Sequence, residues 1–535
     1  MKFILSRLKS FGRDEGGAFA VIFGVIAVVL IATGGSAVDF VNIQQARKTT
    51  QISLDSTVLS LQPEIYKKNK TWIKNRAQKL ATEAMNGTDI SIAIDKVEID
   101  TEAGRLMISA KISRPTLFVR LVGVNEMKAT LVSEATRAKN RLEVVMVLDN
   151  SGSMASYGRI TALKTASTLA VDILSGGDAE PDKVFIGIVP FTMAVNVGEK
   201  NKTAKWLDTK GVSSISWDNL DDDDNSSTGH DTSNPSDRMK RIQLYASIPN
   251  VSWKGCVEAR PHDKSKPVSQ RLDVNDEEPN MGDPDTYFVP MFNPDQADTS
   301  GGSKRGYMQD TKGSCGNKGG GLPWLERHER ECKYRGQKAS PSTGINSPNG
   351  PCGDAEILPL TNKMSTIKTA INAMVASGGT NIHQGAIWGW RVLSPTAPYD
   401  EGVPYDDGAS KVMILMTDGQ NYASQTKSNN YGSHYYSAYG WPINERLGKW
   451  GWSNWQVIKE MDNRTKWACE NAKSSPSKIE IYTIGLGISA SSTNGKMLSD
   501  CATSSNHDFF PSSSSDLIDT FETIADQLSD LRLSK

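Results

Sequence analysis

Leu142–Leu148, Leu-Glu-Val-Val-Met-Val-Leu, is almost unbroken in apolar residues. A strand with one wet face alternates between apolar and polar; a run without alternation suits a strand covered on both faces of a parallel sheet. The same signature returns at Val184–Pro190, Lys411–Met416 and Ile479–Leu486. Between these runs lie segments with helical spacing. Arg159–Leu174 places Ile160, Leu163, Ala166, Leu169, Ala170 and Ile173 on one side, and Met364–Ala376, Val457–Ala472 and Leu517–Leu531 follow. Buried strands alternating with helices predict a doubly wound α/β fold with a mainly parallel sheet over residues 141–535. Two stretches interrupt the alternation, at about 198–359 and 420–455. The first is polar and rich in Gly, Pro, Ser and Asp; the second is crowded with aromatics. Both are read as insertions, because structureless loops beyond about 15 residues are uncommon in compact domains.

The chain begins very differently. Gly16–Val38 carries no charge, Ala18–Ala32 is wholly apolar, and Glu15 and Asp39 bound the stretch. About 20 apolar residues suffice for a helix to cross a bilayer. Lys2, Arg7, Lys9 and Arg13 precede it, which favours a cytoplasmic N-terminus and export of everything after it. Residues 1–40 are therefore expected to be a cytoplasmic N-terminus and a transmembrane helix. A cleaved signal peptide is the alternative, with Gly35 and Ala37 as small residues ahead of a cut. Residues 41–140 predict a small helix-plus-strand stalk. Val41–Leu61 and Pro63–Met85 have helical spacing, and Asn86-Gly87 ends the second helix. Alternation then marks strands around Ile92–Ile99 and Leu106–Ile112, joined by a turn at Asp100–Gly104, with a third over Val124–Ala138.

Charge narrows the function. Among 535 residues, Lys+Arg number 60 and Asp+Glu 61, for a net charge of −1. A polyanion binder is usually strongly basic, so nucleic acid is not expected as a partner. The polar chemistry concentrates at strand ends. The first buried strand runs into Asp149-Asn150-Ser151-Gly152-Ser153, and the strand at Lys411–Met416 into Thr417-Asp418-Gly419. Gly378-Gly379-Thr380-Asn381 lies in a loop after a helix. In doubly wound folds ligands gather at the carboxyl ends of strands, where these loops would supply two carboxylates and three hydroxyls. An all-oxygen set suits a hard cation such as Mg²⁺. Taken singly, the same residues read as ordinary caps and turns.

Asp149-x-Ser151-x-Ser153, with the separate Thr380 and Asp418, resembles the metal-ion-dependent adhesion site of von Willebrand factor type A domains. The resemblance implies a Rossmann-like fold in which Ser151, Ser153 and Thr380 ligate the ion and Asp149 and Asp418 do so directly or through water. It also implies recognition of a protein partner, whose acidic residue completes the coordination. The whole chain resembles the TadG-like proteins of Tad (tight adherence, Flp) pilus assembly. The matching features are Gly16-Gly17-Ala18-Phe19-Ala20 opening the apolar segment and Asp39 closing it, the stalk, Trp253-Lys254-Gly255-Cys256-Val257-Glu258, and Cys352 followed by Ile357-Leu358-Pro359-Leu360-Thr361. That resemblance implies a single-pass bacterial inner-membrane protein with a periplasmic adhesion-type domain. Its partners would be pilus assembly or pilin-like proteins, with lipid around the N-terminal helix.

Six cysteines allow 15 pairings, and export permits disulfides. A Cys469–Cys501 bridge would pin the last helix to the sheet edge. Cys256 and Cys352 bracket much of the first insertion, leaving Cys315 with Cys332. Zinc held by His328, Cys332 and Cys315 is the alternative, although the spacing matches no standard zinc pattern. Asp221–Asp224 reads as a solvated acidic run rather than a calcium site, since no glycine or alternating ligand spacing supports a loop, and the acidic Asp273–Asp285 is open to the same two readings. Tyr431, Tyr435, Tyr436, Tyr439, Trp441, Trp450, Trp452 and Trp455 follow Asp418 closely, and either line a binding surface or cover the domain.

No GxSxG, HExxH or phosphate-loop motif is present. His383 is the one histidine near Thr380, and a structural role fits it best. The expectation is a non-enzymatic, membrane-anchored periplasmic interaction protein of pilus assembly or anchoring. The alternative is a surface adhesin or structural pilus component contacting host or matrix; a metal-dependent hydrolase is more distant.

Overall fold

The structure is a computed structural model and describes residues 16–66, 68–101, 104–136, 141–220, 240–298, 306–313, 328–344, 346–422, 436–449 and 451–534. The chain divides into two compact units, one of Met1–Lys139 with Leu533–Lys535, the other of Asn140–Arg532.

In the first unit a single helix, α1, runs over Gly16–Leu61. The segment expected as a separate helix from Val41 simply continues the apolar one: no proline interrupts it, and the helix runs through Gly34-Gly35. Between Val21 and Ile31 the large apolar side chains of α1 are exposed, whereas Ile43, Ala46, Leu54, Val58 and Leu61 are buried. Those buried residues pack with Ile73, Ala77 and Ala81 of α2 (Lys70–Ala84) and with Leu106, Ile108, Ala110 and Ile112. The latter four alternate along β2 (Arg105–Pro115), which pairs antiparallel with β1 (Ser91–Asp100) and β3 (Glu126–Thr136). The period-2 pattern thus turns one sheet face onto the helices. Among the described residues α1 alone is long and apolar enough to cross a membrane.

Among the described residues the second unit is built on a sheet of eight strands. They are β4 (Leu142–Asp149), β5 (Val184–Phe191), β6 (Val195–Asn196), β7 (Cys256–Val257), β8 (Leu358–Thr361), β9 (Ser410–Thr417), β10 (Glu480–Gly485) and β11 (Asp508–Phe509). Their order across the sheet is β11-β10-β9-β4-β5-β6-β7, with β8 also on β5. β4, β5, β9, β10 and β11 are parallel; β6, β7 and β8 form an antiparallel edge. The expected α/β fold is therefore present, its sheet parallel through β5-β4-β9-β10-β11 and antiparallel at the other edge.

Both faces of β4 are covered. Val144, Met146 and Leu148 pack with α3 (Arg159–Ser175), α5 (Met364–Ala373) and α9 (Ser514–Ser534). Val145 and Val147 face α6 (Ile382–Leu393), every residue of which is buried. No helix is expected here from the sequence, because two glycines interrupt the segment; its polar side chains His383 and Arg391 are buried against the Asp273 and Leu272 carbonyls of the first insertion. Those glycines permit the packing: a Cβ on Gly385 would stand 2.7 Å from Phe191, and one on Gly389 2.5 Å from Val147.

The outer side of α6 is buried by the first insertion, whose described part is an ordered third layer. Phe288, Trp217, Trp253 and Leu244 of α4 (Arg241–Ser247) join Trp388 in one core, and Trp388 meets Phe288 at 4.8 Å between centroids. The described part of the second insertion is also largely a cover: Tyr436, Tyr439 and Trp441 are buried, while Trp455 is exposed. Tyr431, Tyr435, Trp450 and Asp221–Asp224 lie outside the described residues.

Cys256–Cys352 and Cys469–Cys501 are bridged as expected. The second bridge does not reach the last helix. Cys469 lies inside α7 (Asn454–Lys473) and ties it to α8 (Thr493–Cys501), since α8 intervenes before α9. Cys332 is disulfide-bonded, which removes it as a zinc ligand; Cys315 lies outside the described residues. The Asp273–Asp285 run is structural. Asp273 is buried between Arg464 at 3.1 Å and His262 at 2.7 Å, and Asp285 accepts from the backbone N–H of Ser214 at 2.7 Å.

Candidate metal centre

β4 and β9 are neighbours in register, so Asp149 at the end of one and Asp418 just past the other emerge side by side. Asp149 is fully buried. Its Oδ1 accepts the Ser151 backbone N–H at 2.8 Å, and its Oδ2 accepts the Thr417 hydroxyl at 2.7 Å. The Ser151 and Ser153 hydroxyls stand 3.1 Å apart, and Ser153 donates to Asp418 Oδ1 at 2.6 Å. Four of the five expected ligands therefore form one hydrogen-bonded chain.

The fifth, Thr380, reaches the same place by a different route. Helix α5 stops at Ala373, three residues sooner than its periodicity suggested, and the chain becomes extended at Met374. Gly378 has φ +73°, a backbone region costly for other residues. This loop is laced to the Asp149 loop: Gly152 donates to the Gly378 carbonyl at 2.9 Å, Ser377 to the Asn150 carbonyl at 2.9 Å, and the Asn150 side chain to the Val375 carbonyl at 3.2 Å. Thr380 and Ser153 then line one cavity of about 530 Å³, with Met193, Pro351, Gly378, Gly379 and Tyr422. The Tyr422 N–H donates to the Thr380 carbonyl at 2.9 Å, joining the loop after β9 to this wall. Asn421 holds that loop, accepting from the Ile382 N–H and donating to Asp462.

Electrostatics distinguish the two carboxylates. Burial, and then the charge of Asp418, push the Asp149 carboxyl up to about 6, against the hydrogen bonds from Ser151 and Thr417. Asp418 instead has a resident cation: Arg159 Nη1 donates to its Oδ2 at 2.6 Å. Arg159 opens α3, where a cation opposes the helix dipole. Sequence reasoning missed it, although a basic residue in a first turn six positions after Ser153 was a legible anomaly.

Among the described residues no three His, Cys, Asp or Glu side chains cluster as a metal site. An ion here would therefore depend on the serine and threonine hydroxyls. Two carboxylates gathered out of water, one resisting ionisation, with hydroxyl oxygens between them and an open cavity alongside, fit a small hard cation.

No family model and no curated protein matches this chain. Among solved structures it is similar to the pilus adhesin SpaC from Lactobacillus rhamnosus GG, at 11% identity and TM-score 0.33, over 83% of this chain and 34% of that one. It is similar to the vWF domain of the type V pili tip protein Mfa5 from Porphyromonas gingivalis, at 12% identity and TM-score 0.33, over 74% of this chain and 97% of that one. A third is a mutant of the PilB minor pilin from Streptococcus sanguinis, at 12% identity and TM-score 0.31, over 83% of this chain and 80% of that one. The chain thus spans about a third of SpaC and most of the other two.

The remaining candidates are structural. His383 is buried, with its ring nitrogens 2.7 Å from the Tyr439 hydroxyl and 2.8 Å from the Asp273 carbonyl. Burial lowers its pKa to about 3, so it stays neutral. Ser151 and Ser153 face carboxylates and each other, and among the described residues no histidine is bonded to either as a base.

Proposed function

We propose that this chain is a non-enzymatic, membrane-anchored periplasmic protein of Tad-type pilus assembly or anchoring, which captures a protein partner at the cavity beside Asp149 and Asp418. The observation that carries the reading is the meeting of Asp149, Ser151, Ser153, Thr380 and Asp418, from three separate loops, at the carboxyl ends of parallel strands. A bound Mg²⁺ or similar cation would offer a vacant coordination position to a carboxylate of the partner. Ser151, Ser153 and Thr380 would present their oxygens to it, and Asp149 and Asp418 would balance its charge. Met193, Pro351 and Tyr422 provide apolar wall for the residues flanking that carboxylate. Tyr422 is 44% exposed there, and aromatic residues are enriched where binding energy concentrates.

The test is capture of partners from solubilised membranes by the full chain, with Mg²⁺ and with chelator, beside an Asp149→Ala/Asp418→Ala double variant. Loss of the same captured proteins in chelator and in the variant supports the reading; unchanged capture in both sinks it. Fractionation separates the adhesin alternative: inner-membrane retention supports assembly or anchoring, and recovery in sheared pili supports a surface role.

A further inference from the structure

The connection between β2 and β3 is apolar where a loop in water would be polar. It runs over Thr116–Asn125 through a short 3₁₀ turn at Val119–Val122. Leu117, Leu121, Val122 and Val124 are 69, 59, 58 and 45% exposed. Single exposed apolar side chains are ordinary, but a concentration of them marks a contact surface.

The loop is fastened to α1 at one level. The Asp39 carboxylate accepts three backbone N–H groups, from Leu117 at 3.0 Å and from Phe118 and Val119 at 2.9 Å each. Phe118 lies directly on Gly35, where any Cβ would come within 2.2 Å of it. Around this joint α1 itself exposes Val38, Phe40 and Val41. Gly35 stands 19 residues beyond Gly16, about 29 Å along a helix rising 1.5 Å per residue, against a hydrocarbon layer of about 30 Å. The loop is therefore held where the apolar helix would leave the bilayer.

We propose that Thr116–Asn125 is a second membrane contact, with Leu117, Leu121, Val122 and Val124 entering the exported-side lipid interface beside α1 and Asp39 acting as the clamp. The bilayer is the occupant because the patch continues the apolar surface of the helix. The inference rests on reading α1 as membrane-spanning. Three N–H donors satisfy the Asp39 carboxylate, which would otherwise be costly to hold near lipid. Arg120, exposed on the same loop, is placed for headgroup phosphates.

The test uses the full chain in vesicles of phosphatidylethanolamine and phosphatidylglycerol. One cysteine is added, Leu121→Cys or Val29→Cys, and labelled with an environment-sensitive fluorophore; the described native cysteines are all disulfide-bonded. Lipids brominated near the headgroup should dim the Leu121 label at least about two-fold, and deeply brominated lipids the Val29 label. Adding Asp39→Ala should about halve the quenching at 121 and leave that at 29 unchanged. Quenching at 29 with the 121 label open to aqueous iodide overturns the contact while the helix still spans. Protection of the 121 label from both quenchers means that protein covers the patch, which also overturns it. No lipid quenching at either position overturns the spanning reading itself.

Discussion

Arg159 and Asp418 are joined at 2.6 Å, so the carboxylate expected to face a cation already faces a guanidinium. Arg159 is only about one quarter exposed, and Asp418 is buried at its side chain. The guanidinium therefore competes for the charge that a metal ion would use. Arg159→Met should tighten Mg²⁺ binding by roughly 3–10-fold, given the modest worth of a partly exposed pair. Titration calorimetry on the full chain checks this; unchanged or weaker binding would remove Arg159 from the site's electrostatics.

Asp149 carries a conflict between stability and binding. Its folded-state pKa, about 6, lies above the ordinary aspartate value of 3.8, so its ionisation opposes folding. Without divalent cations the protonated group favours the fold at low pH, and that contribution is lost as pH rises through about 6. Asp149→Asn keeps the acceptor for the Ser151 N–H and removes the charge. It should abolish cation binding yet stabilise the cation-free protein at pH 7 by about 1–3 kcal/mol. Thermal melts at pH 5 and 7, with and without Mg²⁺, check both halves. Destabilisation at pH 7 would show that the charge is already compensated.

His383 supplies an acid-side dependence of the opposite sign. Its pKa is lowered to about 3 by burial, with Arg464 and Arg391 opposing its charge and Asp273 favouring it. The unfolded chain binds the proton first, so stability is present above pH 6.5 and falls below it. The cost is about 1.4 kcal/mol per pH unit, down to about pH 3. In His383→Gln the slope between pH 6 and 4 should shrink by about one proton, measured from denaturant unfolding at each pH. An unaltered slope would assign the acid sensitivity elsewhere.

The two described disulfides differ in the chain they close. Cys256 and Cys352 are separated by 96 positions, Cys469 and Cys501 by 32. On the chain-entropy account, each contributes about 2–4 kcal/mol and the longer loop about 1 kcal/mol more. The Cys256→Ser/Cys352→Ser variant should melt lower than Cys469→Ser/Cys501→Ser. The reverse order would mean that native packing around α7 and α8 outweighs loop length.

The buried strands and the residues at their ends were legible in the sequence because each depends on local pattern. The Leu142–Leu148 run needs cover on both sides whatever surrounds it, and Asp149, Ser151 and Ser153 follow it by covalent connection. The helices packed against one sheet face were legible for the same reason, since each has an apolar stripe. Helix α6 was not, because its two glycines weaken the helix signal and the carbonyls that receive its polar side chains, at Asp273 and Leu272, lie 110 and 119 positions away; nor was the order in the first insertion, whose cover for α6 comes from residues distant in sequence.

What only the tertiary structure decided is which groups share a charge. Arg159 and Asp418 are 259 positions apart, and nothing local pairs them. Their meeting requires β4 and β9 to lie side by side, and the Asp39 clamp likewise requires α1 to meet a loop 78 to 80 positions away. The sequence by itself determined where oxygen ligands and apolar surface are concentrated, since composition and periodicity are local properties. Their pairing, burial and electrostatic balance follow from long-range contacts, which a linear pattern does not encode one residue at a time.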